Sequence, residues 1–344
     1  MDNAVVLAEK VFSSTYGKTA NGLVRYSKRY NITSVIDSRY AGKDAGQILT
    51  GKAKGIPVIS SVEEGKSLGS KVFIVGIATD GGYIPDEYRG YIRDAILSGM
   101  TVVSGLHEFI SDDPEFSALS RSNGTDIIDV RKMFRDMKMP FTGSIREVKA
   151  TKIAVLGTDS AIGKRTTSVF LNQAMNQSGR KSVMIGTGQT SWMQGFPYTV
   201  VVDSMINDFI PGNLEWITHE AWIAEKPDYM FLEGQGSVLH PAYPGSFEII
   251  GACRPDAIIL QHAPKRKAFD GFEEFPIPPL DKYINILENL SNRKVIAISI
   301  NSENMNHSEI KESISYLQGK YGIPVFNPLE PLDSVARELA SRSM

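Results

Sequence analysis

The sequence predicts a two-domain α/β protein with a mostly parallel sheet in each half. Three observations carry this. The chain has 344 residues, which suits two domains of ordinary size. Short apolar runs rich in β-branched residues alternate with amphipathic segments through both halves, the pattern of stacked strand-helix-strand units. A Pro and Gly stretch at residues 138–144 interrupts that alternation and reads as a linker. The domains are therefore expected at residues 1–140 and 150–344.

In the first half, β-branched runs place strands at residues 5–8, 34–37, 58–60, 72–78, 101–104 and 126–130. Apolar residues recurring three and four apart place helices near 22–28, 87–98 and 115–121. After the linker the series resumes with strands at 152–156, 182–185, 199–202, 229–232, 257–260, 295–300 and 325–326. Helices are expected at 163–177, 214–225, 280–290 and 308–318. The Pro-rich stretch 275–279 reads as a turn, and no repeat of solenoid length is present.

Composition excludes several roles. Lys and Arg number 37 against 39 Asp and Glu, a formal charge of −2, which disfavours nucleic-acid coating and polybasic membrane binding. With 42% hydrophobic and 22% charged residues the chain can build packed cores. No apolar run approaches the roughly 20 residues that span a bilayer, and the acid at Asp2 stands where a signal peptide carries basic residues. The lone Cys253 cannot form an internal disulfide and is expected to pack inertly. These features point to the cytoplasm, and self-association into a homo-oligomer is the default for an enzyme of this size.

Chemistry concentrates where the first strand of the second domain meets its helix, at Gly157-Thr158-Asp159-Ser160-Ala161-Ile162-Gly163-Lys164-Arg165-Thr166-Thr167. Successive backbone N–H groups in such a loop surround phosphate oxygens, and Lys164, read as an exposed loop lysine, reaches the terminal phosphates. The residue after the lysine is normally Ser or Thr, whose hydroxyl holds Mg²⁺. Here it is Arg165. Thr166 comes one position later, turned about 100° around a helix. Three readings stay open: Thr166 shifts toward the metal, carboxylates hold the metal, or the loop holds a phosphate without hydrolysing it.

A second signal is the apolar run ending in Leu232-Glu233-Gly234-Gln235-Gly236-Ser237. A carboxylate at the carboxyl end of a strand beside a phosphate loop can hold Mg²⁺, and the glycines let backbone approach a substrate. Asp203, closing Thr199-Val200-Val201-Val202, is a further metal candidate or a helix cap. His240 follows the Glu233 strand and is the better catalytic-base candidate among five histidines. No His or Cys pair has zinc spacing.

Gly157-Thr158-Asp159 with Gly163-Lys164, and Glu233-Gly234-Gln235-Gly236 downstream, resemble the dethiobiotin synthetase and cobyrinic acid amidase group of phosphate-loop enzymes. Over its whole length the chain resembles domain-of-unknown-function family 1611, through Lys18-Thr19-Ala20-Asn21-Gly22, Gly105-Leu106-His107-Glu108-Phe109, the phosphate loop, and Glu233 to Ser237 with His240-Pro241. That resemblance implies an N-terminal Rossmann-like domain and a doubly wound P-loop NTPase-like domain. It also implies a small acidic amino-acid substrate, since members have been associated with N-acetylation of D-glutamate from acetyl-CoA. Carried over by motif, Gly157, Thr158, Asp159, Gly163, Lys164, Arg165, Thr166 and Thr167 would bind the cofactor, with Glu233 on the metal and, together with His240, in a catalytic role. Asn301 would stand where related synthetases read the adenine edge, or cap a turn.

The first domain has no Gly-x-Gly-x-x-Gly after its first strand. Asp37 ends its second strand, where an acid can meet a ribose hydroxyl, and the layout is similar to CoA-binding Rossmann domains. A purely structural domain fits equally. Lys18, Thr19 and Asn21 can hold an anion at a helix start. For the whole chain three functions stand: an acetyl-CoA-dependent N-acyltransferase of an acidic amino acid, an ATP-dependent carboxylate-activating ligase with Mg²⁺, and a nucleotide-binding regulator without catalysis.

Overall fold

The computed structural model describes residues 1–342, which form two compact units. Residues 1–136, 188–197 and 201–205 make the first; residues 137–187, 198–200 and 206 onward make the second.

Six strands build the first sheet: β1 (Asp2–Leu7), β2 (Tyr30–Ile36), β3 (Val58–Ile59), β4 (Val72–Val75), β5 (Thr101–Ser104) and β6 (Ile127–Asp129). All pairs are parallel and the order is β3-β2-β1-β4-β5-β6, the arrangement of a doubly wound dinucleotide-type fold. Val72 to Val75 are buried without alternation because helices cover both faces of a parallel sheet. Val5, Leu7, Phe73 and Val75 meet Tyr88, Ile92 and Ile96 of the helix Asp86–Leu97 in one core. The helix Pro114–Asn123 starts where Asp113 accepts the N–H groups of Glu115 and Phe116, a cap that stabilises by about 1 kcal/mol. Short helices at Ala45–Thr50, Val62–Ser67 and Val130–Arg135 carry too few apolar positions to stand out in a periodicity reading.

The second unit continues with β7 (Thr151–Gly157), β8 (Ser182–Ile185), β9 (Tyr229–Glu233), β10 (Ala257–His262), β11 (Ala268–Phe269), β12 (Phe272–Pro276), β13 (Val295–Ile300) and β14 (Val325–Phe326). Its main sheet is parallel, ordered β14-β13-β10-β7-β9-β8, so the chain fills one side of β7 and then the other. That reversal opens a crevice at the carboxyl end of β7. Ile153, Val155, Phe231 and Ile259 pack against Leu171 and Met175 of the helix Lys164–Gln177.

Three expectations need correction. Residues 199–202 form no strand: Thr199 makes one isolated bridge with Gly186, and Val202–Ser204 is a 3₁₀ turn. The run is buried, and burial alone does not supply a ladder partner. The stretch 275–279 is only partly a turn, since Phe275 and Pro276 belong to the β11-β12 hairpin. The segment 138–144 is no free tether. The carboxylate of Glu215 accepts the Thr142 N–H at 2.6 Å and the Ile145 N–H at 3.1 Å, fixing it to the helix Ile210–Glu225. The helices Gln189–Gln194, Ser246–Cys253 and Asp333–Arg342 were not anticipated.

Candidate active site

The loop from β7 to the helix Lys164–Gln177 holds five residues between Gly157 and Gly163, one more than the four of the commonest phosphate-loop spacing. The turn is made at Ala161 (φ 48°) and at Gly163, whose φ of 97° is open to glycine and costly for other residues. The N–H groups of Ala161, Ile162 and Gly163 have no partner among the described residues. They form a concave row of donors at a helix start, where the helix dipole also favours an anion. Lys164 is buried rather than exposed, and its Nζ donates to the Asp159 carbonyl at 2.6 Å. Its stem runs between Gly157 and Gly234. A Cβ on the first would sit 2.9 Å from Lys164 Cδ, and a Cβ on the second 2.2 Å from the Val155 carbonyl oxygen.

Asp159 braces the loop. Its fully buried carboxylate accepts the Ser160 N–H (2.7 Å), Arg266 Nη1 (2.8 Å) and the Asp270 N–H (3.0 Å). Burial pushes this carboxyl up, but the neighbouring His240 ring and the Arg266 guanidinium outweigh it and hold the group below the ordinary Asp value. Arg266 also donates to the Ser160 carbonyl and to Glu303, so one guanidinium ties both sides of the loop.

His240 is buried in this frame and does not present a free base. Its Nδ1 accepts the N–H groups of Ala242 (3.1 Å) and Tyr243 (3.0 Å), which places the ring proton on Nε2. Nε2 stands 3.3 Å from Asp159 Oδ1, and the ring packs against Phe269 at 4.9 Å. The lone pair that a general base needs is already engaged.

Three other cofactor candidates also turn inward. Thr167 donates to Gln261 Oε1 at 2.6 Å and lies 3.1 Å from Ser299 Oγ, on the sheet side of its helix. Thr158 donates its N–H to the Gln261 carbonyl, and its hydroxyl lies 3.1 Å from His262 Nδ1. Asn301 spends its amide on the loop, donating to the Ile162 carbonyl at 3.0 Å and accepting the Glu303 N–H at 2.9 Å. Gln261 is buried with no partner for its Nε2 among the described residues, and that atom lies 3.9 Å from where a Cβ on Gly163 would sit.

Glu233 closes β9, paired with Val155 of β7, and its Oε2 accepts the Thr187 N–H at 3.0 Å. The phosphate-loop fold implies Mg²⁺ here, and the residues do not fit it. The helix's first turn is regular, with Thr167 N–H bonded to the Gly163 carbonyl at 3.0 Å. Thr166 therefore keeps its ordinary helical place one residue beyond Arg165, whose guanidinium burial pushes down while the charge of Glu233 acts against that. Asp203 belongs to the first unit, where Arg131 binds its carboxylate through Nε (3.0 Å) and Nη2 (2.6 Å). Both Asp203 oxygens are thereby engaged, and no group of three His, Cys, Asp or Glu side chains is placed to hold a metal among the described residues. A cavity of about 800 Å³ opens at the opposite edge of this sheet, between Lys149, Lys152, Asp256 and Arg293, away from the loop.

In the first unit, Asp37 does not await a ribose. It is buried, accepts the Phe12 N–H at 3.1 Å and holds Arg39 through Oδ1 (3.1 Å) and Oδ2 (2.8 Å). Lys18 opens the helix Lys18–Arg25 and its charge acts on Asp203, while Thr19 bonds to Thr190 at 3.1 Å. Arg266, Gln261, Thr187 and Arg131 were missed by sequence reasoning. Only Arg266 left a signal, as the centre of Lys265-Arg266-Lys267 just beyond a strand's carboxyl end.

Fold and site together define a two-domain α/β protein with a phosphate loop. The chain belongs to domain-of-unknown-function family 1611: its P-loop domain model matches residues 139–336, and its Rossmann-like domain model matches residues 38–133. A crystal structure of a family member from Anabaena variabilis superposes with a TM-score of 0.90 at 29% identity, covering 99% of this chain and 100% of that one. Two curated relatives carry the name D-glutamate N-acetyltransferase. One, from Tritonibacter scottomollicae, is 28% identical across 78% of this chain and 80% of its own. The other, from a Pseudoalteromonas species, is 30% identical across 81% and 84%. Among the described residues no helix is long and apolar enough to cross a membrane.

Proposed function

We propose that this protein is an N-acyltransferase that moves the acetyl group of acetyl-CoA to the amine of a small acidic amino acid, D-glutamate first among them. The similarity to two relatives of that name, over about four fifths of the chain, carries the reading. In the reaction the amine attacks the thioester carbonyl, an amide bond forms, the carbon–sulfur bond breaks, and the amine's lost proton balances the released thiol. The phosphate loop anchors CoA: the N–H groups of Ala161 to Gly163 and the Lys164 ammonium are donors suited to its phosphates. Glu233 holds the Thr187 N–H and offsets the charge of Arg165 rather than carrying a metal. His240 is a positioning residue that supports Asp159.

The competing reading is ATP-dependent carboxylate activation, which the Gly163-Lys164 loop and Glu233 would also suit. Mass spectrometry of the protein with D- or L-glutamate, acetyl-CoA and MgATP, each omitted in turn, separates the two. N-acetylated product and free CoA without ATP is the expected result. ADP and phosphate appearing only with amino acid present would replace it with a ligase. Lys164→Ala should weaken CoA binding by at least about 100-fold in calorimetry, roughly the loss of one charge-assisted phosphate contact in a dry site. A urea titration alongside is needed, because this buried lysine also braces the loop.

A further inference from the structure

We propose that Arg165 is a built-in replacement for the divalent cation, so that the phosphate loop holds its ligand without Mg²⁺. The inference rests on the phosphate-loop reading and says how that site is charged.

Three observations support it. In Mg²⁺-using loops the residue after the lysine carries a hydroxyl that meets the metal, and a carboxylate at the end of a neighbouring strand completes the place. Here Arg165 occupies that helix position, in a first turn regular enough to keep Thr166 a full step further round. The neighbouring strand does end in a carboxylate, Glu233, which lies buried beside β7; burial pushes the Arg165 guanidinium down, and the charge of Glu233 acts against that. Cation and carboxylate are both present, but the cation is covalently part of the chain.

Most of the groups at the loop are also of one kind. Lys164 donates to the Asp159 carbonyl, the N–H groups of Ala161, Ile162 and Gly163 are donors, and Arg165 next in the chain carries a guanidinium, which can only donate. Glu233 already accepts the Thr187 N–H, and the Thr167 hydroxyl is turned to Gln261. A donor set suits phosphate oxygens, and the one carboxylate at the place, Glu233, offsets the charge of Arg165 and already accepts an N–H. A divalent ion placed beside Arg165 would meet like charge. A phosphate gripped here gains its counter-charge without the ion that bridges the β- and γ-phosphates in nucleotide hydrolysis, so the site favours holding over turnover.

Calorimetry of the full chain with CoA and with ATP, each in EDTA and in excess Mg²⁺, tests this directly. For the unaltered protein, affinities that agree within about twofold across the two conditions are expected. A gain of tenfold or more on adding Mg²⁺ would overturn the proposal while leaving the phosphate-loop reading intact. Arg165→Thr restores the hydroxyl and should make ATP binding about tenfold tighter with Mg²⁺ than with EDTA, whereas Arg165→Lys should stay indifferent to the metal. An Arg165→Thr protein that binds as tightly as the parent in EDTA would also overturn it. If neither CoA nor ATP binds under any condition, the phosphate-loop reading fails and takes this inference with it.

Discussion

Each unit has its own parallel sheet, and the two differ in who satisfies the loops at the carboxyl edge. In the first unit, carboxylates of the chain itself take the loop N–H groups: Glu9 accepts from Ser38, Asp37 from Phe12, and Asp129 from Ile110 and Ser111. In the second, Asp159 braces the loop from one side only, and the N–H groups of Ala161 to Gly163 are left for an outside acceptor. The sheet does not decide whether such an edge binds an anion. What decides it is whether internal acids have already claimed the donors.

The contrast can be broken in three places. Asp159→Asn should have the largest effect, because it leaves the Arg266 guanidinium short of its buried counter-charge. A loss of about 3 to 5 kcal/mol in urea denaturation is expected, with CoA binding lost alongside. Retained binding would mean that the loop holds its shape without the brace.

His262 comes next. Burial pushes its pKa down to about 4. The unfolded chain takes up this proton below about pH 6.5 and the folded one only below about 4, so stability rises with pH across that window. Acidification from 6.5 to 4 should therefore cost up to roughly 3 kcal/mol through this group, and no more below it. His107 is displaced in the same direction by burial. In urea titrations at successive pH values, His262→Gln should flatten the decline; an unchanged slope would assign it to other groups.

Asp37→Asn should cost least, about 1 to 2 kcal/mol, and leave CoA affinity within about twofold of the parent. A tenfold loss of affinity would show that the first edge also serves the ligand, and the contrast would fall.

The parallel sheets were legible because long β-branched runs such as Val295 to Ile300 have few alternatives, and the loop was legible because Gly163-Lys164 follows such a run directly. The family resemblance is borne out by matches to both of its domain models. What the sequence hid were partners distant along the chain. Asp203 looks like a strand-end metal ligand until Arg131, 72 residues earlier, takes both of its oxygens. His240 reads as a base until its Nδ1 is found under two backbone donors. Local spacing names residue types that can do chemistry; which of them is already spent is fixed by tertiary packing.

The first unit also draws on residues 188–197 and 201–205, where Gln194 donates to the Gly22 and Tyr26 carbonyls and Asp203 pairs with Arg131. On the ribosome this unit is incomplete when residue 136 emerges, and its last pieces follow sixty-nine residues later. At 5 to 20 residues per second that is a wait of roughly 3 to 14 s. The amino-terminal half therefore cannot finish folding as an independent nascent domain, and a fragment cut at residue 136 would lack part of its own fabric.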